Sequence, residues 1–146
     1  MKIIVDANIV FSGILNSNGK IGDLLINSKK HFSFIAPDFL REEIRRHYTK
    51  LCKISGLVID KIQESEFQIC KDITFISEEQ IKISMWIAAE KLVADIDPKD
   101  IHYIAYSKHF RCKIWSGDKT LIKGLLKKGF SNFITTGELF KLREEG

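Results

Sequence analysis

The sequence predicts an α/β fold with a mostly parallel central sheet of about five strands, and three observations carry that prediction. Short apolar runs of β-type composition lie at residues 3–7, 32–36, 73–76, 113–115 and 133–135. Segments of helical period fall at residues 22–30, 38–51, 58–70, 78–93, 98–110, 119–128 and 138–144. The chain shows no internal repeat, low-complexity tract or linker, and Pro37 and Pro98 are its only prolines. Strands that alternate with helices are joined by right-handed crossovers, which pair them in parallel and cover both faces of the sheet. The 146 residues read as one domain over 1–146, long enough to bury about two-thirds of its surface.

Composition excludes several classes. With 45% hydrophobic and 29% charged residues, a disordered or fibrous chain is not expected. No apolar run approaches the roughly 20 residues that span a bilayer. The first strand is expected to begin at residue 2 or 3, which leaves no room for a signal peptide. Cys52, Cys70 and Cys112 are odd in number and set in apolar patterns, so reduced core thiols and a cytoplasmic location are expected. The net charge of +4 suits a polyanionic partner without demanding one.

The first element, "KIIVDANIVFSGIL" at residues 2–15, runs Ile3, Ile4, Val5 and then Asp6. A carboxylate at the edge of a core costs several kcal/mol unless it is paired, capped or bound to metal. Asp6 either caps the next helix or serves a site. In parallel sheets the ligand crevice lies beyond the carboxyl ends of the strands, which is where Asp6 falls.

The helix over 38–51 carries Phe39, Leu40, Ile44, Tyr48 and Leu51 as its apolar stripe. Glu43 lies on that stripe, either facing inward or at its edge with the head in water. Glu42 points outward among Arg41, Arg45 and Arg46. In "DIDPKDIHYIA", Asp97 and Pro98 form an N-cap and first-turn pair, with Asp100 at the third helical position. Capping explains both acids, yet Asp97, Asp100, Ile101 and Ile104 share one face, and it is the apolar one. Asp95 precedes the helix and reads as a solvated loop residue. In "CKIWSGDKTLIKGLL", Asp118 repeats the setting of Asp6 at a strand's carboxyl end. Gly117 lets the backbone approach a ligand, and the Ser116 hydroxyl can hold a metal-bound water. Capping is again the alternative.

Together the acids say more than each does alone. Carboxylates gathered at one sheet edge repel and raise one another's pKa values. Hard divalent cations relieve this through oxygen ligands, and a set without histidine points to Mg²⁺ or Mn²⁺ rather than zinc.

The chain resembles the PIN domain family, metal-dependent ribonucleases that include the toxins of toxin–antitoxin pairs. The matching stretches are "VDAN" at 5–8, "LREEI" at 40–44, "DPKDIHYIA" at 97–105, "WSGDKTL" at 115–121 and "FITTGELFKL" at 133–142. The resemblance implies a three-layer α/β/α sandwich that hydrolyses RNA phosphodiester bonds with Mg²⁺ or Mn²⁺. It sets Asp6, Glu43, Asp100 and Asp118 on the family's acidic quartet, with Asp97 as a further acid. Asp6, Asp100 and Asp118 are expected to hold metal, while Glu43 and Asp97 complete the shell or orient water. Asn8 and Ser116 fall on accessory polar positions, with Ser116 where threonine is more usual. Arg41, Arg45, Arg46, Lys119 and Lys123 are candidates for the phosphate backbone, or else solvated faces. The implied partners are RNA, a small antitoxin protein and a second copy of the chain, with no membrane.

Other motifs fail. "GILNSNGKI" at 13–21 has five residues between its glycines and no Ser or Thr after the lysine, so it is no phosphate cradle. His31, His47, His102 and His109 show no ligand spacing with cysteine, although His47 stands one helical turn beyond Glu43. Two rival readings remain: a Mg²⁺-dependent phosphohydrolase, and an RNA-binding or assembly module without catalysis. Against the first, Asp6-Ala7-Asn8 lacks a second aspartate two residues on. Against the second, the acid set is intact.

Overall fold

A computed structural model describes residues 1–93, 95 and 100–146. Its strands are β1 (Lys2–Val5), β2 (Ser33–Pro37), β3 (Ile73–Ile76), β4 (Lys113–Trp115) and β5 (Phe133–Ile134). All neighbours pair in parallel in the order β3-β2-β1-β4-β5. The register sets Ile4 opposite Ile35 on one side and Ile114 on the other. The chain winds outward from β1 to β3, then returns to build β4 and β5 on the opposite flank. The winding reverses between β1 and β4, and a crevice opens at such a point beyond the strand ends.

Side-chain alternation splits the core in two. Ile3, Val5, Phe34, Ala36 and Trp115 belong to one buried cluster, and Ile4, Ile35 and Ile114 to the other. The first cluster is covered by helices α1 (Ala7–Leu15), α2 (Lys20–Asn27), α3 (Phe39–Arg46), α4 (Tyr48–Ser55), α5 (Ile59–Cys70) and α9 (Thr136–Glu145). The second is covered by α6 (Ile83–Val93), α7 (Ile101–Phe110) and α8 (Lys119–Lys127). The result is a three-layer α/β/α sandwich. No helix among the described residues is long and apolar enough to cross a membrane.

Three elements differ from the sequence reading. Helix α1 carries only Asn8 and Ser12 as polar residues, so its period is masked by an apolar run; it buries Ile9, Val10, Gly13 and Ile14 and exposes Asn8 and Ser12. A Cβ on Gly13 would stand 3.1 Å from an Ile69 methyl and 3.2 Å from one of Leu25, so only glycine lets α1 seat against its neighbours without a shift. The helix expected over 38–51 breaks at His47, whose backbone leaves the α region at φ −101°, ψ 8°. Its ring Nδ1 lies 2.7 Å from the Glu43 carbonyl oxygen, competing for the acceptor that the helix would use. The segment 78–93 divides into a 3₁₀ turn at Glu78–Gln80 and α6. Helix α7 is described from Ile101, and the expected start at Asp97 and Pro98 lies outside the described residues.

Candidate functional site

Asp6 directly follows β1, and Asp118 follows β4 by three residues, so the reversal of the winding brings both to one edge. The Asp6 amide donates to the Trp115 carbonyl at 3.3 Å and continues the ladder past the strand end. Both acids cap helices. Asp6 Oδ1 accepts from the Ile9 amide at 3.0 Å, and Asp118 Oδ1 accepts from the Leu121 amide at 3.0 Å. Capping therefore occupies one oxygen of each carboxylate in these bonds.

Ser116 ties the pair together. It is buried, its Oγ accepts from the Asp118 amide at 3.1 Å, and it stands near enough to the Asp6 carboxylate to pull its pKa down. Its contacts are thus with the acids themselves rather than with open solvent, and it fixes their spacing. A Cβ on Gly117 would meet no atom within 4 Å, so packing does not require glycine there. Asp6 is only 6% exposed, and burial raises its carboxyl above the ordinary range. The Ser116 hydroxyl and the Ile9 and Asn8 amides pull the other way, while the Asp118 charge adds to the rise.

Glu43, Asp100, Asn8 and Tyr103 join these two acids around a cleft of about 240 Å³. Glu43 is half-buried on the inner side of α3, whereas Glu42 is exposed and lines a different groove with Asp38 and Glu78. Asp100 is half-buried at the N-terminus of α7, but its side chain makes no cap bond to that helix. Asp97 lies outside the described residues. Asn8 is exposed at the mouth.

Two lining residues add to the set read from sequence. His47 reaches the cleft from the break after α3, its ring 5.4 Å from that of Phe11. Its spacing from Glu43 was the available signal. Tyr103, one turn after Asp100 on α7, is 5% exposed and packs edge-on against Phe39 at 5.8 Å. Burial pushes its phenol well up, followed by the charges of Asp6, Glu43 and Asp100. One hydroxyl thus feels three of the four carboxylates. The Ala7 amide is directed toward the phenol oxygen, yet among the described residues the hydroxyl makes no well-formed hydrogen bond.

The donors fit a hard divalent cation in kind: every acid supplies oxygen, and a desolvated carboxylate beside another is relieved by positive charge. They do not converge on a point. No three histidine, cysteine, aspartate or glutamate side chains among the described residues stand close enough to hold one ion together.

The cations divide. Arg46, Lys119 and Lys123 are exposed, with Arg46 on the crest of α3 and the two lysines on α8. Arg41 and Arg45 line a groove on the other side of α3. Lys128 is held by the Leu92 carbonyl and the Asp95 carboxylate, so Asp95 is an ion-pair partner rather than a bare loop acid.

A family model described as PIN domain matches residues 4–136. The fold is similar to that of a PilT N-terminus domain protein from the hyperthermophilic archaeon Sulfolobus solfataricus P2. The two are 14% identical with a TM-score of 0.50, over 100% of this chain and 96% of that one. No curated protein matches the chain.

Proposed function

The chain belongs to the PIN domain family, a family of nuclease-type fold whose members typically use divalent metals, and from that premise we propose that it is a Mg²⁺- or Mn²⁺-dependent ribonuclease. One observation supports this above all: Asp6 and Asp118, bridged by Ser116 where the winding reverses, open onto the same cleft as Glu43 and Asp100. In this reading Asp6, Asp100 and Asp118 hold the ions, with Glu43 and Asp97 completing the shell or orienting the attacking water. The bound ions would activate that water and offset the negative charge that builds on the oxygens of the phosphorane-like transition state.

The chain's own groups do the rest. Ser116 stands beside Asp6, and the helix-capping bonds fix one oxygen of Asp6 and of Asp118 in side chains that line the cleft. Tyr103 offers a hydroxyl proton to an oxygen entering beside the acids. Arg46, Lys119 and Lys123 supply positive charge for the phosphate backbone. The toxin role, with a small antitoxin protein as partner, follows from the resemblance of the sequence, and the adjoining reading frame tests it.

Cleavage of RNA should require Mg²⁺ or Mn²⁺ and stop with EDTA. Glu43→Gln should slow it tenfold or more, about 1.4 kcal/mol on the barrier, while Glu42→Gln should leave it near wild type. Cleavage indifferent to chelation would end the metal mechanism. Equal effects of the two glutamates in one rate assay would mean that the wrong face of α3 carries the chemistry.

A further inference from the structure

Helix α3 has a second wall. Arg41 and Arg45 each stand two residues from Glu43, about 200° around the helix, so they face away from the acid cleft. Together with α5 and the edge strand β3 they enclose a groove of about 360 Å³, larger than the cleft and in the lower range of ligand-binding cavities. Its charge is set by Arg41, Arg45 and Lys71 against a single carboxylate, Glu66, which already accepts the Tyr48 hydroxyl. Its apolar wall is aromatic. The Arg41 guanidinium lies 4.2 Å over the Phe75 ring, and Phe67 stands 67% exposed on α5 with its packing toward the core largely unused.

An exposed aromatic ring among cations in a nucleotide-sized groove suits a base and its phosphate: the ring stacks the base, and the cations take the charge. Only an unpaired base can be stacked in this way. The ridge between groove and cleft is α3 alone, roughly 10 Å across with its side chains. Its crest carries exposed Arg45 and Arg46. A strand crossing that ridge passes Arg45 and Arg46, with the exposed Glu42 carboxylate one turn away from Arg46, before it reaches Phe67.

We propose that this groove between α3, α5 and β3 binds single-stranded RNA, with a base stacked on Phe67 and its phosphates held by Arg45 and Lys71. It rests on the ribonuclease reading and adds a place outside the acid cleft where the substrate strand is held. Its test is kept separate from cleavage by working in EDTA.

Fluorescence anisotropy with a short labelled single-stranded oligoribonucleotide, and with the same sequence closed into a hairpin, measures the site directly. The single strand should bind more tightly. Phe67→Ala should weaken that binding on the order of tenfold. Arg45→Gln should weaken it and flatten its salt dependence by about 0.7 in the logarithmic slope, the share of one phosphate contact on a single strand. Ile83→Ala removes an apolar side chain on α6 that is at least as exposed as Phe67 and should change nothing. Equal binding of strand and hairpin, or wild-type affinity in Phe67→Ala, overturns the proposal. So does a labelled poly-glutamate peptide that binds through Phe67 when RNA does not, which would make the groove an acidic-peptide site. Absence of Mn²⁺-dependent cleavage alongside Phe67-dependent RNA binding would instead remove the ribonuclease reading and leave the groove.

Discussion

Tyr103 and Tyr106 stand three residues apart on α7, and their hydroxyls meet different fates. Tyr106 is fully buried and donates to the Ile76 carbonyl at 2.6 Å. That carbonyl also accepts from the Asp38 amide, so removing the phenol oxygen leaves it partnered. Tyr106→Phe should therefore cost about 1 kcal/mol, the net worth of one hydrogen bond. Tyr103 has no such bond to lose, and Tyr103→Phe should hold or raise the stability in EDTA. Urea melts of the two variants side by side check this; a larger loss at Tyr103 would mean that its hydroxyl already has an acceptor. Asp6 makes a prediction with pH. Its folded pKa is raised above 3.8, so its neutral form favours the fold: the contribution is full below 3.8 and is lost as pH climbs through the folded value. Asn keeps a side-chain oxygen for the Ile9 amide. Asp6→Asn should then be more stable than wild type at pH 7 in EDTA, with the gap closing toward pH 4. A gap that does not change with pH would mean that burial does not govern this carboxyl.

At the scale of the element, the start of α8 separates structure from chemistry. Asp118 caps it through one oxygen, and asparagine caps about as well, whereas alanine forfeits about 1 kcal/mol. Asp118→Asn should melt near wild type in EDTA yet lose metal-dependent cleavage, while Asp118→Ala should lose both. If Asp118→Asn cleaved RNA at the wild-type rate, the residue would be a cap alone. The elements also show where sequence reading stops. Strand positions and α5 and α8 are legible because each carries its own apolar period. Helix α1 is not, since Asn8 and Ser12 are its only polar residues and too few to set a period against the apolar run. The break at His47 is invisible too, because the residues on either side continue one stripe, and the competing bond to the Glu43 carbonyl comes from a side chain.

At the scale of the molecule, a cation that binds only the folded protein must stabilise it, by about 2.7 kcal/mol at a hundredfold excess over its Kd. Mn²⁺ should raise the melting temperature of wild type and not that of Asp6→Asn; equal shifts would move binding away from the cleft. The sequence by itself determined the alternation of strands and helices and the identity of acids at strand ends and on the inner side of α3, because these patterns lie within a few residues of one another. Tertiary structure alone decided that β1 lies beside β4. That pairing joins Asp6 to Ser116 and Asp118 across most of the chain, and no local period encodes it. It also buried Tyr103 within the field of three carboxylates. Such contacts depend on which faces compete successfully for burial, and that is settled only when the layers pack.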